Sequence, residues 1–380
     1  MTAARVLAAC VVGACIAAAR LPLTAQNQPD DDAAAQLFTA AEAARAEARF
    51  DDAIAAYHRI VADHPASTWA ARALIESATC LVVTGAWSDA MRQLQTARQK
   101  SGSAELADIA LERNTILYRL HLRPGQPAYQ FAPNASANAS AIDLRRVGNI
   151  AVDGRDLVHV ATRKALYVYN EFGSIARTVP GDDYRSVILR DGAVLLVGES
   201  SVRLDGEVVP LVGQEAGRTR DVDVEAATLA PGGDLLVADR KSRSILRFGA
   251  DGAFRVRVAA GDVVRLAASP LGDVAAVTRE TGAVFIVGRD GAPHAFTGTA
   301  GGAPMRAVDV AYDVFAHLYV LERDSVSVFA PTGERIVAFA PGGTGRTVIG
   351  GFHTAVAFAV DESGRLFVLD AESERVQVYH

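Results

Sequence analysis

With 380 residues the chain has room for two or three domains, and its 50 % hydrophobic and 22 % charged content is that of an ordinary globular protein. A formal net charge of −6 argues against nucleic acid as a general partner, which would call for a basic surface. Three cysteines, two of them in the first fifteen residues, exclude a disulfide framework.

Residues 1–25 read as a secretion signal. Arg5 supplies positive charge, Val6 to Ala19 is apolar and small, and Leu23-Thr24-Ala25 offers a cleavage site before Gln26. Arg20 keeps the apolar run too short to span a bilayer, and no later run is long enough, so no transmembrane segment is expected after cleavage. The expected location is periplasmic or secreted. A rival reading is an outer-membrane lipoprotein, because Leu7-Ala8-Ala9-Cys10 and Val12-Gly13-Ala14-Cys15 both resemble a lipobox. Cleavage after Ala25 would leave only Cys80, which sits in an apolar helical pattern as a small core residue.

Residues 33–121 are rich in Ala, Leu, Glu and Arg at helical spacing. Two helix pairs are predicted, over residues 37–65 and 69–102, with Asp51 and Ser88 as N-caps, Pro65 ending the first pair and Gly85 opening the turn inside the second. The pairs superpose at a shift of 37 residues, Ala53 on Ala90, Tyr57 on Leu94, Leu37 on Leu74 and Ala41 on Ala78, and residues 104–121 read as a further helix capping the stack. This pattern resembles the tetratricopeptide repeat of bacterial envelope proteins, with Ala41 and Ala44 departing from its usual small and aromatic pair. The resemblance implies an inner groove for a protein partner, and Phe38, Glu42, Arg45, Arg72 and Thr79 fall on it.

Residues 122–141 break the helical pattern with Pro, Gly, Ala, Asn and Ser and read as a linker; Asn134 and Asn138 stand in N-x-S sequons. From residue 142 to 380 a strand phrase recurs six times, centred on Val160, Val197, Val237, Val277, Val320 and Val368 at intervals of 37, 40, 40, 43 and 48 residues. A period near forty with four short strands each, a to d, is that of a propeller blade, so six blades are expected. The fold class is multidomain, α plus all-β: a short α-solenoid followed by a six-bladed β-propeller. Turns from strand c to strand d are expected at Gly173, Gly206, Gly252, Gly291 and Gly333. The sixth repeat stops at strand c, so an outer strand is expected from the linker, from Tyr129–Ala132 or Ala141–Leu144.

The phrases IAVDGRDLVHVA, LAPGGDLLVADRKSRSILRFGADG and FAVDESGRLFVLDAESERVQVY resemble the NHL repeat over residues 147–380, its Val-x-Asp surviving at Asp239 and Asp370. That family spans lyases, lactonase-like hydrolases and binding domains, so the fold carries no function by itself. The eight histidines (58, 64, 121, 159, 294, 317, 353 and 380) do not gather, and His317 and His353 belong on opposite faces, which argues against a three-histidine centre. Gly342 to Thr347 lacks the lysine and glycine spacing of a phosphate loop. Catalytic residues, cofactor and metal are therefore each read as none. The lactonase-like resemblance would place calcium on axis carboxylates such as Asp309 and Asp223.

Loops from strand b to strand c carry Arg163, Lys164, Arg240, Lys241, Arg243, Arg279 and Arg323 on one face, a candidate surface for an acidic protein, glycan or lipid headgroup. The functional expectation is a non-enzymatic exported scaffold that binds proteins in the bacterial cell envelope. The alternatives are a metal-dependent propeller hydrolase or lyase and a small-molecule sensor.

Overall fold

The computed structural model describes residues 28–122, 127–181, 183–190, 192–204, 207–215, 218–298, 305–341 and 350–380. Residues 1–25, expected to be a secretion signal, the turn expected at Gly206 and the loop at 342–347 lie outside the described residues.

Among the described residues five helices come first: α1 (Gln28–Ala46), α2 (Phe50–Asp63), α3 (Trp69–Val83), α4 (Trp87–Lys100) and α5 (Ala104–His121). Each packs on the next, and α1 touches α3 as α3 touches α5, so the hairpins stack in one layer. Small residues let the helices approach: Ala41, Ala53, Ala73, Ala78, Ala90 and Ala97 are buried, with Tyr57, Ile60 and Leu94 filling the spaces between them. Asp51 and Ser88 are not caps. The caps are Arg49 and Ala86, neither with a side-chain cap bond, and Asp51 and Ser88 fall inside the first turns. Asp51 and Asp52 there favour the helix electrostatically at its positive end. Gly85 leaves α3 at φ +87°, a conformation that suits glycine.

A six-bladed β-propeller follows. Its inner strands are Val147–Val152, Ser186–Arg190, Val224–Leu229, Val263–Ala268, Asp309–Tyr312 and Ala355–Val360, each the first of an antiparallel four-stranded sheet. Each inner strand touches the next, and the first touches the last, which closes the ring. Gly173, Gly252, Gly291 and Gly333 take positive φ in the c–d turns. An additional hairpin, Val212–Glu215 with Arg218–Asp221, stands between blades two and three; no feature of the repeat announces it.

The outer edge of blade six is covered from the linker. Ala137–Asn138 pairs with Arg375–Val376, Gln130 and His380 exchange backbone hydrogen bonds, and Ala132 N–H donates to Val378 O. Ala141–Leu144 does not pair there: Ile142 N–H donates back to Ala139 O, and a 3-10 turn begins at Leu144.

One core runs through both parts. Leu74, Ile75, Leu94, Ile116, Leu117 and Leu120 of the helices join Tyr129, Phe315, Tyr319, Phe352 and Tyr379 of the linker and blades five and six. The first two helices and one side of α3, with Ala73 and Cys80, keep a separate core around Phe38, Tyr57 and Ile60.

Candidate functional site

Three places in the molecule gather polar groups: the axis, the face carrying the b–c loops, and the cleft beneath the helices.

The axial cavity, about 260 Å³, is lined by all six inner strands. Its polar side chains bind the strands to one another. Asn149 brackets Val187, accepting from its N–H at 2.7 Å and donating to its carbonyl at 3.0 Å. Ser186 accepts from Ala227 N–H, Thr228 from Ala268 N–H and Asp309 from Phe358 N–H, at 2.9, 3.3 and 3.2 Å. Four inner strands also carry a bulge near their start, leaving an extra residue unpaired. Arg265 donates to the carbonyls of two bulge residues, Val264 and Val356, at 2.9 and 3.3 Å, and its Nε lies 3.7 Å from Asp309. The guanidinium thus stands among the oxygens that a cation on the axis would need. Burial pushes Asp309 up to about 6 despite Arg265. Asp223 is turned away from the axis and holds Arg240 at 2.7 Å. Asp309 and Asp223 therefore do not fit a calcium site, and among the described residues no three His, Cys, Asp or Glu side chains converge on a common point.

The turn histidines are structural. His317 Nδ1 lies 2.8 Å from Asp313, which also accepts from the N–H groups of Phe315 and His317 and from Tyr319 Oη. In blade one His159, on strand b, reaches Asp153 through Nε2 at 3.1 Å, and in blade six Arg365 takes the place of His317 on Asp361. The Val-x-Asp carboxylates tie b–c loops to the chain entering strand a. Asp239 accepts from Asp223 N–H, Ser242 and Arg220, and Asp370 from the N–H groups of His353, Thr354 and Ser373. Burial opposes the Asp239 charge, yet those donors outweigh it and hold the carboxyl below its usual range.

The face bearing the b–c loops is not a basic patch. Arg163 is paired with Asp183, Arg240 with Asp223, and Arg279 with Asp262 and Glu225. Arg185, nearly buried, adds contacts to Asp183 and Glu225. Lys164, Lys241, Arg243 and Arg323 are exposed around this lattice of alternating sign. Pairing of this kind at a wet surface adds little attraction for an acidic ligand.

The cleft lies between the helices and the a–b turns. The a–b end of the axis opens under α1, α3 and α5 into a space of about 560 Å³, with Arg45, Glu76 and Arg113 above and Tyr312, Asp313, Asp361 and Glu362 below. Beside it are spaces of about 430 Å³, between the end of α1 and blades three and four, and about 690 Å³, between Phe50, Val83 and blades four and five. Glu76 receives Arg113 at 3.4 Å and Arg45 at 3.8 Å, and Glu42 receives Arg45 at 2.5 Å and Tyr57 Oη. At the cleft's edge burial, then Glu362, Asp361 and Asp108, push the Glu112 carboxyl upward.

Of the five residues assigned to a helical groove, Arg45 and Thr79 line this cleft, Thr79 accepting from Arg113 at 3.2 Å, and Glu42 lines the adjoining space of about 430 Å³. Phe38 does not line it: it is 7 % exposed, packed on Tyr57 and Trp69. Arg72 lies over the rings of Phe38 and Trp69. The sequence reading missed Glu76, Arg113, Asp361 and Arg265. Glu76 and Arg113 pair between α3 and α5, far apart in the chain, and Asp361 faces them only across two domains. Arg265 carried a signal, a lone charge inside an apolar strand.

Fold and cleft together define a class, a six-bladed β-propeller with a helical array across one mouth. No family model matches the chain, and no curated protein matches its sequence. Solved structures do match. A structural genomics protein of unknown function from Bacteroides thetaiotaomicron aligns at TM-score 0.53 and 12 % identity, over 67 % of this chain and 76 % of that one. A gluconolactonase from Xanthomonas campestris aligns at 0.48 and 15 %, over 68 % and 90 %, and a virginiamycin B lyase from Staphylococcus aureus at 0.44 and 13 %, over 66 % and 99 %. At these identities the likeness is one of fold.

Proposed function

We propose that this is an exported binding protein of the bacterial envelope. In this reading a tetratricopeptide-like array and an NHL-like propeller hold a partner or ligand between them, in the cleft over the a–b turns. The observation that carries it is the contrast in polar groups. Those on the axis are engaged in bonds between inner strands, with Arg265 among them, whereas the cleft is roomy and lined with charge. Export rests on the sequence of residues 1–25, and a periplasmic, secreted or lipid-anchored form follows from the same segment.

The second reading is a lactonase-like hydrolase. Two features favour it: lactonase and lyase propellers share the architecture, and Asp309, pushed up to about 6, is a buried acid able to exchange a proton near neutral pH. One experiment separates the two. The purified protein is melted with and without calcium and EDTA, and a lactone panel is tested for turnover. Indifference to metal and chelator with no hydrolysis supports the binding protein. A stoichiometric ion whose removal lowers the Tm and stops hydrolysis, with Asp309→Asn also inactive, replaces it with the hydrolase.

A further inference from the structure

The space at the end of α1 differs in character from the charged cleft beside it. Its floor is the seam between blades three and four, Leu236, Ile245, Val274 and Val287, and its wall is strand d of blade three, where Val256 is 47 % exposed. The floor side chains are 3–7 % exposed and packed into the seam, so the apolar surface open to this recess of about 430 Å³, the size of a small-molecule site, is carried by Val256.

Three guanidinium groups stand at its mouth. Arg45 is matched by Glu42 and Glu76, and Arg247 by Asp234 at 2.5 Å. Arg289 is different. Its Nη1 donates to Ala46 O, the last carbonyl of α1, at 2.7 Å, and among the described residues it forms no salt bridge. Burial raises the Asp273 carboxyl, and the Arg289 charge, followed by the Arg289 backbone N–H, partly offsets it, so Asp273 attracts Arg289 without forming an ion pair with it. The side chain is thus held over the recess by one bond and keeps further N–H donors for an acceptor.

We propose that this recess binds an apolar carboxylic acid, its chain along Val256 above the seam and its carboxylate on Arg289. An apolar body needs the dry wall, and a carboxylate pairs with the planar donors of a guanidinium. The inference rests on the reading of the cleft as a ligand site.

The test is calorimetric titration of the full chain with dodecanoate, dodecanol and dodecyltrimethylammonium. One equivalent of dodecanoate is expected to bind, with the alcohol and the cation weaker by about tenfold or more, the worth of one charge-assisted contact. Arg289→Gln should weaken dodecanoate by about the same factor and leave dodecanol unchanged. Val256→Glu should weaken both. Both positions are exposed, and unchanged melting will show that the variants fold. Absence of dodecanoate binding, equal affinity for the three amphiphiles, or indifference to both substitutions would overturn the proposal. These outcomes are independent of the lactone assay, so failure here leaves the binding-protein reading standing or falling on that assay.

Discussion

The helices meet the propeller in two ways on one face. At blades five and six the contact is sealed. Ile116, Leu117 and Leu120 of α5 share a core with Phe315, Tyr129 and Tyr319, and Arg119 donates to the carbonyls of Ser363 and Gly364 at 3.2 and 2.6 Å while lying over the Tyr129 ring. At blades three and four it is open. The end of α1 presents Glu42, Arg45 and Ala46, and the bond from Arg289 to Ala46 O crosses a gap flanked by cavities. The difference lies in the residues offered. Large apolar side chains at the C-terminal end exclude water, whereas the alanines and charges of α1 cannot reach across. The array is thus anchored at one end and overhangs the propeller at the other.

The largest effect is expected from breaking the sealed end. Phe315, fully buried at the tip of an a–b turn, becomes a cavity in Phe315→Ala, which should destabilise by about 3–5 kcal/mol and separate helical from propeller unfolding in denaturant, followed by far-UV circular dichroism. Arg119→Ala removes the donor from a buried carbonyl, Gly364, and a part-buried one, Ser363, and should lower stability by about 2 kcal/mol in the same assay.

A pH series sharpens the contrast, because His121 belongs to the sealed end. It stacks on Trp87 at 4.8 Å and faces His317, with Asp313 behind. Burial and His317 push it down to about 4, below the ordinary value near 6.5 of the unfolded chain. The unfolded state therefore takes up the proton first. The stability this group contributes is present above about 6.5 and is lost as pH falls toward about 4. Across that window the Tm of His121→Phe, which keeps the stacking, should rise relative to that of the wild type as pH falls, the opposing contribution of Asp309 being common to both. The smallest effect is at the open end: Arg289→Gln should change stability by less than about 0.5 kcal/mol, since it removes one exposed contact. A large loss there would show that the overhang is held more firmly than its contacts indicate.

Much of the fold was legible in the chain. The recurring strand phrase and its glycine turns marked six blades, because each blade must repeat the same alternation and the same reversals. The site was less legible. The Arg163, Arg240 and Arg279 cations read as a basic face, because their partners Asp183, Asp223 and Asp262 stand on the chain entering strand a, 17 to 20 residues away. Phe38 read as a groove residue because an exposed and a buried aromatic look alike without the neighbouring Tyr57 and Trp69.

Sequence alone determined what local rules govern: the helical period, the blade period, the turn glycines and the unfinished last blade that the linker completes. Tertiary structure decided which polar groups are engaged and which face open space. That depends on distances between segments far apart in the chain, such as Arg265 to Val356, Arg119 to Gly364 and Arg289 to Ala46. A hydrogen bond or an ion pair is specific to a few tenths of an ångström, and no periodicity in a sequence carries that information.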